Sequence, residues 1–181
     1  HIQKDVILVG FGQWGQKAYA HLELLKNFFN FRTHVVELEW PGRREALADA
    51  EQQVLENGDA FYWDQPSSEA PGYAALAREL EASCYVITYI CTPAESHLPM
   101  LKAYYDLSNV VLVEKPLGAP PEEYREFVDG LDDTVQIVAA DHYWFKLEIR
   151  LLEQLLTEEQ NLRAFLARGL MSDRYLFTRG G

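Results

Sequence analysis

Residues 6–15 read Val-Ile-Leu-Val-Gly-Phe-Gly-Gln-Trp-Gly, a stretch that few folds accept. A short apolar run meets a cluster of glycines and passes directly into a helical pattern. Physically this is a buried parallel strand, a tight turn and a helix N-terminus, where backbone N–H groups and the helix dipole favour an anion. Gly10 permits the sharp turn, Gly12 lets a pyrophosphate approach the main chain, and Gly15 lets helix and strand pack closely. Phe11, Gln13 and Trp14 lie in the same loop and are expected against the same ligand. The motif predicts dinucleotide binding by a doubly wound α/β domain of the Rossmann type.

The rest of the chain alternates as such a domain requires. A helix is predicted over 16–30, with Ala18, Leu22, Leu25 and Phe29 on one face, then a strand over 32–39 carried by Val35, Val36 and Leu38. A helix over 43–57 stops at Asn57 and Gly58, an aromatic strand covers 59–64, and 65–72 reads as a loop. A helix over 73–82 and a strand over 85–91 follow. Thr92, Pro93 and Glu95 then form a helix-start signal: Thr92 as N-cap, Pro93 at the first helical position, Glu95 closing a capping box. That helix runs to about residue 105, with His97 in its first turn, either solvated or bonded locally. A strand over 109–113, a helix over 122–131, a strand over 135–139 and an amphipathic helix to about 156 complete the pattern. Strands separated by helices, without a hairpin signal, mean a parallel sheet with helices on both faces. The dinucleotide-binding domain is expected over 1–156. Residues 157–181, where periodicity fades, are expected to be the start or remnant of a C-terminal substrate or dimerisation domain.

Several side chains fall where this architecture gathers ligands. Glu37 and Glu39 stand about 20 residues past the glycines, where an acidic residue holds the adenosine 2′-hydroxyl. They lie on one strand face at different heights, so only one can point the right way. Arg43 and Arg44 follow and suit a 2′-phosphate instead, which leaves NAD and NADP both open. Lys115, at the carboxyl end of a core strand and fixed by Pro116, sits on the edge where the ligand crevice forms, with Glu114 beside it to orient it. If Asp141 caps the last helix, His142, Tyr143 and Lys146 share a face that suits an anionic or hydroxyl-rich ligand.

Bulk properties narrow the class. With 181 residues, there is room for one α/β domain and part of a second. A formal charge of −12 argues against general affinity for nucleic acid or anionic membrane. Cys84 and Cys91 make neither a metal pattern nor a disulfide framework. No apolar run is long enough to span a bilayer and no signal peptide is visible, so a cytoplasmic location is expected.

Gly10-Phe11-Gly12-Gln13-Trp14-Gly15, Cys91-Thr92-Pro93 with His97, and Glu114-Lys115-Pro116 together resemble the Gfo/Idh/MocA family of NAD(P)-dependent oxidoreductases. The Glu-Lys-Pro element with Asp141-His142-Tyr143 and Lys146 is also similar to the glucose-6-phosphate dehydrogenase family. The resemblance spans about residues 5–156. It implies NAD or NADP as cofactor and hydride transfer to or from a sugar or sugar-phosphate carbon. Thr92, Pro93, His97 and Glu114 would line the cofactor crevice, Lys115 would handle the proton, and His142, Tyr143 and Lys146 would hold the substrate. Both families place an aspartate–histidine pair on a second domain, through which homo-oligomers form, yet no histidine follows His142 here. The chain is thus expected to be a fragment of a longer enzyme or a short relative that binds dinucleotide without catalysis.

Overall fold

Buried strands alternating with half-buried helices assemble here into one parallel sheet. The computed structural model describes residues 4–64, 71–131 and 134–140. In chain order these form β1 (Lys4–Val9), α1 (Gln13–Leu25), β2 (Arg32–Leu38), α2 (Arg43–Glu56), β3 (Ala60–Asp64), α3 (Pro71–Leu80) and β4 (Tyr85–Ile90). A 3-10 turn (Ala94–Ser96), α4 (His97–Tyr104), β5 (Val110–Glu114), α5 (Pro121–Asp129) and β6 (Gln136–Ala140) follow. The strands lie side by side as β3-β2-β1-β4-β5-β6, all parallel. The chain reverses direction across the sheet between β1 and β4, the position where doubly wound folds open a crevice at the strand carboxyl ends.

Alternation along the strands divides the core. Leu8 and Val35 pack with Phe11, Ala18 and Tyr19 at α1 and Leu47 and Val54 of α2. Ile7, Val9 and Val36 face the other way, against Leu76 of α3, Leu101 of α4 and Tyr124 of α5. On the α1–α2 side, β4 and β5 carry Ile87, Tyr89 and Leu112, which are only half buried. Two carboxylates pin the amino-terminal half of the sheet. Asp5 accepts from His34 Nε2 at 2.9 Å, and Asp59 binds the Tyr19 hydroxyl at 2.7 Å and the Thr33 N–H at 2.9 Å.

Most expected elements occur, with shifted ends. The first helix starts straight off the glycine turn at Gln13 and stops at Leu25, where the Asn27 and Phe28 N–H groups close onto Leu24 and Leu25 carbonyls. Its core face is therefore Gly15, Ala18 and Tyr19, whereas Leu25 and Phe29, expected inside, are exposed. The helix expected from Thr92 begins later, as a 3-10 turn at Ala94 followed by α4 from His97. The expected helix to 156, the whole 157–181 segment, and His142, Tyr143 and Lys146 with them, lie outside the described residues.

Candidate active site

The glycines of the first turn do three different jobs. Gly10 has φ +92°, and a Cβ there would lie 2.8 Å from Thr92 Cγ2 and 2.9 Å from Thr92 N, so the turn is tight and abuts the strand beyond it. A Cβ on Gly15 would lie 2.0 Å from the Gly10 carbonyl oxygen, which is the close helix–strand packing expected of it. At Gly12 the nearest atom to such a Cβ is Arg43 Nη2 at 3.8 Å, leaving the backbone open on that side. Helix α1 has no side-chain cap and no acidic residue in its first turn. Its dipole and backbone donors thus face the cleft without a competing anion from that turn. Phe11 plays a different part from Gln13 and Trp14, which are exposed. Its ring is buried edge-on to Tyr19 and Phe61.

The acidic residue at the end of β2 is Glu37. It is 3% exposed and accepts from the Phe11 N–H, from the Leu38 N–H at 3.1 Å and from Arg43 Nη2 at 3.2 Å. Arg43 also lies over the Trp40 ring, 4.7 Å from its centroid. Glu39 falls beyond the strand end, exposed and paired with Arg44 at 2.7 Å, an ion pair that holds its carboxyl below the usual range. Of the two candidates, Glu37 alone joins the glycine turn.

After β4 the chain forms the turn that faces Gly10. The expected capping box is not made. Pro93 precedes the 3-10 turn, Ser96 Oγ donates to the Pro93 carbonyl at 2.7 Å, and Thr92 Oγ1 has no hydrogen-bond partner among the described residues. With the tighter turn closing on the Pro93 carbonyl instead, the Thr92 hydroxyl is left buried and available. His97 is 1% exposed, and its Nε2 donates to the Thr92 carbonyl at 2.7 Å. It therefore bonds locally, beneath the turn; its reach toward a cofactor is indirect, through Thr92. Pro93 itself is exposed at the rim.

Strand β5 delivers Glu114 and Lys115. Glu114 is buried; Tyr89 donates to its Oε1, and the Lys115 N–H donates to its Oε2 at 3.2 Å. Lys115 is exposed, has no ion pair among the described residues, and is joined to Pro116 by a cis peptide bond. Trp14, Cys91, Thr92, Glu114 and Lys115 line one cleft of about 320 Å³. Burial, with the nearby Glu114 charge second, pushes the Cys91 thiol up to about 12 and leaves it a neutral wall residue. Gly118, with φ +76°, comes so close to the 3-10 turn that a Cβ would lie 1.9 Å from the Ala94 oxygen. The loop after β5 and the loop after β4 are thereby locked together.

Residues 4–142 match a family model described as an oxidoreductase family with an NAD-binding Rossmann fold, GFO_IDH_MocA. The chain belongs to the Gfo/Idh/MocA family. No curated protein matches it by sequence. Among solved structures it is similar to UDP-N-acetylglucosamine 3-dehydrogenase GnnA from Acidithiobacillus ferrooxidans, with a TM-score of 0.59 at 16% identity over 86% of this chain and 44% of that one. It is similar to myo-inositol dehydrogenase from Lactobacillus casei, with a TM-score of 0.58 at 18% identity, over 87% of this chain and 42% of that one. A third is the WlbA (WbpB) dehydrogenase from Thermus thermophilus, with a TM-score of 0.57 at 21% identity over 88% of this chain and 48% of that one. At these identities the fold is what is shared, and the chain spans less than half the length of each relative. The resemblance to glucose-6-phosphate dehydrogenase rests partly on residues 141–146, outside the described set.

For this Gfo/Idh/MocA member, residue-by-residue reading missed Tyr89, Arg43 as the partner of Glu37, and Gly118. Nothing in the sequence marked Tyr89; the sheet register pairs it with Leu112, two residues before Glu114.

Proposed function

We propose that the protein is an NAD-dependent dehydrogenase of sugar-like secondary alcohols and that this chain provides its cofactor cleft. One observation carries the reading: Lys115 and the unpartnered Thr92 hydroxyl line a single cleft with Trp14 of the glycine turn. The residues fit a dinucleotide. Gly12 leaves room for a diphosphate at the start of α1. Thr92 Oγ1 is a buried polar atom awaiting a partner, which a ligand hydroxyl or amide satisfies. Glu37 uses three of the roughly four acceptor positions of a carboxylate, leaving one for a ribose hydroxyl. A 2′-phosphate there would meet a carboxylate instead, which favours NAD over NADP.

Bound nicotinamide supplies the hydride acceptor. The chain's residues do the rest. As the carbon loses its hydride, the uncharged amine form of Lys115 would accept the hydroxyl proton, and the resulting ammonium, at the exposed rim, would release it to solvent. Glu114 holds the Lys115 backbone, and His97 holds Thr92. We assign His142, Tyr143 and Lys146 to the substrate side. A polyhydroxylated substrate is supported by the similar structures, whose names include a UDP-N-acetylglucosamine 3-dehydrogenase and a myo-inositol dehydrogenase.

The test is titration calorimetry of this chain with NAD and NADP, followed by assays of the full-length protein for NADH production from nucleotide sugars, inositols and sugar phosphates. NAD binding and turnover of one such alcohol are expected. NAD binding with turnover of none would make the chain a non-catalytic dinucleotide-binding module instead.

A further inference from the structure

Glu114 interrupts the pattern of its strand. Its same-face neighbours Leu112 and Val110 are half buried although apolar, whereas Glu114, a carboxylate, is 5% exposed. The hydrogen bonds around it run in one direction. The Tyr89 hydroxyl gives its single proton to Glu114 Oε1. The Lys115 N–H donates to Oε2. Both carboxylate oxygens accept, both donors are neutral, and no described residue forms an ion pair with Glu114. Burial, then the hydrogen bond to Glu114, holds the Tyr89 hydroxyl far above its ordinary range, so it stays a neutral donor.

We propose that Tyr89 is a positioning residue that keeps Glu114 as an acceptor-only carboxylate facing the cleft, and that this fixed charge makes the site bind oxidised nicotinamide cofactor in preference to reduced. The inference rests on the dinucleotide reading of the cleft and adds a redox-state preference to it. The oxidised ring is cationic and the reduced ring neutral, so a buried anion acts on one and not the other. In a cleft open to water the expected discrimination is roughly three- to tenfold. The Tyr89–Glu114 hydrogen bond ties β4 to the end of β5 beside Lys115, and Glu114 lines the same cleft as Trp14 of α1.

The experiment measures Kd for NAD+ and NADH, by calorimetry and by NADH fluorescence, on this chain and on Tyr89→Phe, Glu114→Gln and Tyr62→Phe. Glu114→Gln keeps the side chain's shape and is expected to lower Kd(NADH)/Kd(NAD+) roughly three- to tenfold. Tyr89→Phe is expected to move the ratio the same way by less. Tyr62→Phe removes a hydroxyl that bonds His34 at 3.2 Å, away from the cleft, and is expected to leave the ratio unchanged. An unchanged ratio in Glu114→Gln overturns the charge preference. Equal weakening of both forms in Tyr89→Phe, or a shift in Glu114→Gln alone, overturns the role of Tyr89. If the unaltered chain binds neither form, the dinucleotide reading itself falls.

Discussion

Lys115 leaves a buried strand and ends in solvent, with no carboxylate neutralising it among the described residues. A lysine in that position is held by its backbone and free at its head, as a proton relay requires. Lys115→Ala in the full-length protein should lower kcat by about 10²- to 10⁴-fold, the usual worth of a positioned acid–base group. Calorimetry should show NAD affinity changed by less than about threefold, because the pyrophosphate and ribose contacts are proposed elsewhere, at Gly12 and Glu37. Full turnover in the variant would remove Lys115 from the chemistry. Glu37 invites the opposite kind of test, in which binding changes and chemistry is spared. Its carboxylate engages Arg43, which lies near Gly12. Glu37→Gln removes the repulsion toward a 2′-phosphate and frees the guanidinium to pair with it. The ratio of NADP to NAD affinity should rise about tenfold or more, read by titration with both cofactors. An unaltered ratio would place the ribose away from Glu37. These roles were unequally visible in the sequence. Glycine spacing was readable because it depends on local backbone, whereas the choice between Glu37 and Glu39 stayed open in the sequence and is decided by β2 ending at Leu38. Arg43 was ambiguous, because its direction depends on how α2 leaves β2.

Loops tie the site together, and Gly118 is the clearest joint. Its φ of +76° disfavours any side chain, and a Cβ would lie 1.9 Å from the Ala94 oxygen. Tyr124 of α5 fastens the same loop, donating to the Leu117 carbonyl at 2.6 Å. Gly118→Ala therefore combines a left-handed backbone penalty with a collision against main chain rather than a movable side chain. It should cost about 3 kcal/mol in denaturant unfolding and weaken NAD binding, since Thr92 belongs to the segment pushed away. A variant as stable as the parent would show that the two loops do not meet. The helix start after β4 shows where sequence patterning stopped short. Thr92 and Glu95 have capping-box spacing, but Pro93 and Ser96 close a 3-10 turn first. That competition is set by where Gly10 and Gly118 press on the turn, contacts remote in sequence. The contact between Tyr89 and Glu114 was hidden for a related reason. Each strand was recognisable, while the register that brings them together emerges only when the sheet assembles.

Buried hydroxyls and a thiol are spread over both faces of the sheet, so their ionisation belongs to the domain as a unit. Burial is the first cause in each case, and it raises Tyr19, Tyr62, Tyr73, Tyr89 and Tyr104 above their ordinary 10.0. Cys91 rises from 9.0 to about 12. Carboxylates reinforce several: Asp59 at Tyr19, Asp106 at Tyr73 and Glu114 at Tyr89. A group that holds its proton more tightly when folded stabilises the fold fully while both states are protonated. Above the unfolded value the unfolded chain releases protons that the folded chain keeps, and stability falls with rising pH. Loss should begin near 9.0 through Cys91 and steepen past 10.0 as the tyrosines join, a window set by the unfolded values. A set of denaturant melts from pH 7 upward should show stability flat and then falling through that window. Tyrosinate absorbance from these five side chains should rise together with loss of helical circular dichroism, because ionising them requires opening the fold. If these five instead ionise near 10 with the helical signal intact, Tyr19, Tyr73 and Tyr89 do not make the buried hydrogen bonds described. The bridge from Tyr89 to Glu114 across the cleft would then be lost with them.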